Sequence, residues 1–144
     1  MITGTQILLH LVGDYVLQSD WMANEKTKRW LPALAHAVAY TVPFLLLTRS
    51  WEALAVIGLT HALIDRYRLA RFVCWAKNFL SPPQRCVDRG GDENDTHYGW
   101  PHLAWKNCSG TGYSKDRPPW LAVWLMIIAD NVIHIAINGV AITL

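Results

Sequence analysis

Three apolar stretches of this chain each hold a histidine and an aspartate four residues apart: His10 with Asp14, His61 with Asp65, and Asp130 with His134. Four residues are about 6 Å of rise and nearly one full turn, so a helix projects both members of a pair from one face. With His36 the chain places seven ionisable groups inside apolar sequence. An ionised group in the middle of a span costs about 2.5–3.5 kcal/mol on insertion scales, so something must offset them.

The surroundings of the pairs set the expected fold. Of 144 residues 52% are hydrophobic and 17% charged, with eight Trp, which points to a membrane protein. The length suits one domain, residues 1–144. In the first stretch, QILLHLVGDYVLQ, the residues Gln6, His10, Asp14 and Gln18 recur every four positions and form one polar stripe. The second runs from Leu31 to Thr48, with Pro32 near its start and Pro43 as a kink. The third runs from Trp51 to Phe72 and continues as an interfacial helix to Leu80, and the fourth begins at Pro119 and reaches the C-terminus. These predict an all-α protein, a four-helix transmembrane bundle with spans near 5–22, 31–48, 51–72 and 119–142. Residues 81–118, rich in Gly, Pro, Asp, Asn and Lys, read as one long polar cytoplasmic loop. The first 20 residues lack the basic start of a cleaved signal peptide, so the N-terminus is expected to stay.

Given four crossings, twelve of the thirteen Lys and Arg, Arg85 and Arg89 among them, fall on one side and Arg49 alone on the other. The positive-inside rule then makes the protein multi-pass with both termini outside the cytoplasm, and Trp30, Trp51 and Trp120 mark span ends. A net charge of +2 gives no ground for a nucleic-acid partner.

The pairs agree with this topology. The first and third helices run inward and the fourth outward, and the fourth carries its pair in reverse order. His10, His61 and His134 therefore form an outer layer, Asp14, Asp65 and Asp130 a layer one turn below, and His36 joins the lower one. Imidazole nitrogens and carboxylate oxygens are ordinary ligands for zinc, and also for manganese or iron, and this set could hold one or two divalent ions. Taken singly, each pair also reads as a polar helix contact. Gln6, Gln18, Asn131 and Asn138 are placed to orient the ligands. Asp65 or Asp130 would be the general base. Arg66, Arg68 and Arg71 form a cluster suited to a phosphate-bearing lipid head group. Cys74, Cys86 and Cys108 are expected as reduced thiols; Cys86, His97, His102 and Cys108 have ligand chemistry but no common zinc-motif spacing.

HLVGDYVLQSDWM, HALIDRYRLARF with WAKNFL, and RPPWLAVWLMIIADNVIHIAIN resemble an uncharacterised family of small phage and bacterial inner-membrane proteins, a domain of unknown function. The resemblance covers most of the chain outside the polar loop. More distantly, the repeated His/Asp pattern is similar to the membrane-bound metal-dependent hydrolases of bacteria. It implies the bacterial inner membrane, and leaves the substrate open.

The resulting expectation is an integral membrane protein whose His/Asp site binds a metal and hydrolyses a lipid-linked ester or phosphoester reached from the cytoplasmic leaflet. Its partners would be membrane lipids, a second copy of the chain, or a host membrane protein. The alternatives are a haem-binding protein, an ion- or proton-conducting protein, and a non-enzymatic phage membrane effector that binds a host protein through the polar loop.

Overall fold

The computed structural model describes residues 2–87 and 96–144. Arg89 and the side chains of Arg85 and Cys86 lie outside the described residues. The chain divides into two compact units, Met1–Leu69 with Asp130–Leu144, and Ala70–Ala129.

In the first unit, α1 (Gly4–Leu11) starts where the Thr3 side chain accepts from the Gln6 N–H at 3.2 Å. The helix widens into a π turn over Val12–Val16, which carries Gly13 and Asp14. Such widenings reorient side chains and are frequent at functional sites. Helix α2 (Asp20–Glu25) is capped by Ser19 and α4 (Trp51–Tyr67) by Ser50. Helix α3 (Trp30–Thr41) tightens into a 3-10 turn at Val42–Leu46, where Pro43 removes a helix donor. Helix α4 stops at Arg68, whose backbone takes a left-handed conformation with φ 52°. Leu9, Tyr40, Phe44, Leu54, Ile57 and Ala141 form the buried apolar cluster.

The second unit contains α5 (Ala70–Asn78), an antiparallel hairpin of β1 (Gln84–Val87) and β2 (Thr96–Gly99), and the short α6 (Trp105–Cys108). The hairpin register pairs Gln84 with Gly99 and Cys86 with His97. Phe72 stacks on Trp105 at 4.9 Å, and the Trp75 indole donates to the Leu103 carbonyl. Gly112, at φ 83°, lets its loop press on α5; a Cβ there would stand 2.2 Å from the Arg71 carbonyl oxygen. Helix α7 (Pro119–Ala141) begins in this unit and ends in the first.

This corrects the expectation of an all-α bundle with four membrane crossings. Among the described residues only α7, with 23 residues, is long and apolar enough to cross a membrane. Helices α1, α3 and α4 have 8, 12 and 17 residues. At 1.5 Å per residue even the longest of these covers about 26 Å, against about 30 Å of hydrocarbon. The π turn, Pro43 and the left-handed Arg68 end regular α-helix where the apolar sequence alone suggested it continues. The strand hairpin departs from all-α as well. Without four crossings, the orientation read from the basic residues loses its basis.

Gly13 sets how closely the π turn meets α3: a Cβ there would lie 2.7 Å from Tyr40 Cδ2 and 3.1 Å from its Cα. Gly13→Ala is expected to lower stability by about 1–3 kcal/mol in denaturant unfolding. Gly4→Ala, which meets nothing within 4 Å, should hold or raise it.

Candidate metal centre

Four side chains from three segments meet at one point in the first unit. Asp14 comes from the π turn, His36 from α3, and His61 and Asp65 from successive turns of α4. All four are buried. His36 Nε2 lies 3.2 Å from Asp14 Oδ1 and 3.3 Å from Asp65 Oδ2. His61 Nε2 lies 3.4 Å from Asp14 Oδ1, 3.3 Å from Asp65 Oδ2 and 3.0 Å from His36 Nε2. A tetrahedral ion with bonds of about 2.0–2.2 Å spaces its ligand atoms about 3.3–3.6 Å apart, so these donors fit one with small adjustment.

Charge points the same way. With neutral imidazoles, Asp14 and Asp65 bring two negative charges into this pocket, and the Lys26 ammonium, 2.6 Å from Asp65 Oδ2, brings one positive charge. The pocket is left with one negative charge in excess, an environment that favours a bound cation. The far nitrogens of both rings, His36 Nδ1 and His61 Nδ1, are buried without a hydrogen-bond partner. Packing orients the rings instead: His61 stacks on Tyr40 at 3.6 Å and 11°, and His36 meets His61 edge-on at 4.8 Å.

Asp130 and His134, one turn apart on α7, stand beside this group. His134 Nε2 is 3.4 Å from Asp130 Oδ2 and 3.6 Å from Asp65 Oδ1. The Asp130 side chain is 27% exposed, the most open of the set.

His10 is placed differently. Its Nε2 donates to Asn131 Oδ1 and its Nδ1 accepts from the Tyr40 hydroxyl, both at 2.7 Å. Asn138 Nδ2 donates to that hydroxyl at 2.6 Å, and Asn131 Nδ2 donates to Tyr15 at 2.8 Å. Every donor in the chain Asn138, Tyr40, His10, Asn131, Tyr15 points the same way, so His10 has both nitrogens engaged and sits outside the ligand groups. Gln6 donates to the Ile135 carbonyl at 2.8 Å, while Gln18 Oε1 is buried without a hydrogen bond.

Arg66 donates to the carbonyls of Thr27 and Lys28, and Arg71 to that of Ser109, in the other unit. Arg68 is the residue that ends α4. In the second unit the Cys108 thiol donates to the His102 carbonyl, burial pushes it up from its ordinary pKa, and no ligand group forms there among the described residues.

Tyr40 and Lys26 are the site residues that sequence reasoning passed over. Tyr40 follows His36 by four positions, the same signal that marked the pairs. Lys26 lies at the end of α2, outside any apolar stretch, and carried no such signal.

A family model described as "Protein of unknown function (DUF3307)" matches residues 2–83. The chain belongs to the DUF3307 family. No curated protein and no solved structure matches it. The DUF3307 match takes in two of the three segments that carried the resemblance, and with them Asp14, Lys26, His36, Tyr40, His61 and Asp65. The third segment, with Asp130 and His134, lies beyond it.

Tyr40→Phe keeps the ring on His61 and removes the hydroxyl, leaving His10 and Asn138 each one buried partner short. The substitution is expected to lower the melting temperature by the equivalent of about 1–3 kcal/mol.

Proposed function

We propose that this chain is a membrane-held metalloprotein with metal-dependent hydrolase activity, acting on a lipid-linked ester or phosphoester. The observation that carries the reading is the approach of His36, His61, Asp14 and Asp65 donor atoms to 3.0–3.4 Å within a buried pocket. Zinc fits this N/O donor set and spacing, and manganese or iron share the ligands.

A divalent ion held among these His and Asp side chains with one coordination position open to water would polarise an ester oxygen and bring the pKa of a bound water toward neutrality. The chain's own groups divide the remaining work. Lys26, with its side chain 17% exposed, offers positive charge beside the site for an anionic phosphoester, the role that sequence reasoning gave to the arginines. Asp130, on the open side, is placed to take a proton from water. In the hydrolysis, the oxygen of water bonds to the acyl carbon or phosphorus and the bond from that centre to the ester oxygen breaks. The proton released by water passes through Asp130 to the departing oxygen.

The membrane proposed is the bacterial inner membrane; support for membrane anchoring as such comes from α7, whose Trp120, Trp124, Ile128, Val132 and Val140 are exposed and apolar. A haem between these histidines is disfavoured by the 3.0 Å approach of two imidazole nitrogens, which leaves no gap for a porphyrin plane.

Two outcomes are expected. Purified protein should retain zinc through dialysis, and the His61→Ala, Asp65→Ala double variant should bind it at least about 100-fold more weakly, measured by elemental analysis at fixed free zinc. Equal, sub-stoichiometric metal in both would remove the reading. In cell fractions the wild type should stay with the membrane through an alkaline carbonate wash; release into the supernatant would contradict membrane anchoring.

A further inference from the structure

If one ion took a ligand atom from each of Asp14, His36, His61 and Asp65, four protein donors would fill a tetrahedral set, the arrangement of a structural ion rather than a catalytic one. The remaining donors supply what that group lacks. Asp65 turns its two oxygens to different neighbours: Oδ2 faces His36 and His61, at 3.3 Å from each, while Oδ1 faces His134 at 3.6 Å. His134 Nε2 is buried and makes no hydrogen bond, although Asp130 Oδ2 lies 3.4 Å away. A buried imidazole nitrogen with no hydrogen bond, aimed between two carboxylates, is a ligand position.

We infer that Asp65, Asp130 and His134 hold a second divalent ion, with the Asp65 carboxylate bridging it to the first. The inference rests on the metal-binding reading of the four-donor group. The spacings of 3.4 and 3.6 Å match bonds of about 2.1–2.2 Å to one ion. A carboxylate that gives one oxygen to each of two ions suits the separation of about 3.5–4 Å found in two-metal hydrolytic sites. Three protein ligands leave a coordination position free, and Asp130 is the most exposed of the site's ligands. The four-donor ion then anchors the bridge, and the three-donor ion is the one a water molecule and an ester oxygen can reach. Asp130 would bind through Oδ2, the oxygen nearer His134, and keep its other oxygen for the proton.

Counting bound zinc tests this apart from any activity. The full chain, stripped with chelator and dialysed at a fixed free Zn²⁺ concentration, is expected to hold two ions by mass spectrometry. Asp130→Asn and His134→Gln, each close in shape to the original, should each hold one. A wild type with one ion, unchanged in Asp130→Asn, overturns the second site and leaves the four-donor reading standing. Two ions in the wild type and in both variants likewise overturn the assignment to Asp130 and His134. A wild type that holds none removes both readings.

Discussion

The carboxylate of Asp65 is the point through which the first unit is tied together. It is reached by Lys26 from the end of α2, by His36 from α3, by His61 one turn earlier on its own helix, and by His134 from α7. A buried carboxylate is tolerated only when cations or donors surround it, and removing one partner leaves the others uncompensated. The elements that supply these partners are therefore coupled to one another through a single side chain. Most of the apolar packing lies elsewhere, around Tyr40, Phe44 and Ile57.

Tyr40 connects the two regions. Its ring belongs to the apolar cluster and covers His61, while its hydroxyl enters the directed run of hydrogen bonds from Asn138 through His10 to Asn131. Gly13 makes this possible, because only a residue without a side chain lets the π turn come close enough to α3 to carry Asp14 to His36. The widened turn and the glycine act together: one redirects the aspartate, and the other brings its backbone near.

That His and Asp side chains able to hold a metal ion would share helix faces was legible in the sequence because helical spacing is a local property. His61 with Asp65 and Asp130 with His134 could be assigned to common faces from four-residue separation alone, and His36 was placed beside the aspartates, where it stands at 3.2 and 3.3 Å from two of them. His10 satisfied the same spacing with Asp14, yet Asn131 and Tyr40 occupy both its nitrogens; which of several polar residues it meets is a matter of tertiary contact that periodicity does not carry. The four-crossing bundle was misread for a related reason. Apolar content counts residues, whereas crossing a membrane needs uninterrupted helix, and the breaks at Val12–Val16, Val42–Leu46 and Arg68 depend on backbone geometry more than on hydropathy. Lys26 carried no pattern at all, since a lone lysine after a short helix is ordinary surface sequence.

The extent of the family match bears on how the site is built. Residues 2–83 contain all four residues of the group Asp14, His36, His61 and Asp65, together with Lys26 and Tyr40. Asp130, Asn131, His134 and Asn138 all come from α7, past the matched segment, and they occupy successive turns of its inner face. One helix thus provides both the donors that meet the free oxygen of Asp65 and the amides that engage His10 and Tyr40. Rotating α7 by one residue, about 100°, would break all of these contacts at once, so the same register that satisfies the buried amides also fixes where Asp130 and His134 stand. The polar contacts of α7 therefore set where Asp130 and His134 stand beside Asp65, while its exposed apolar residues take no part in them.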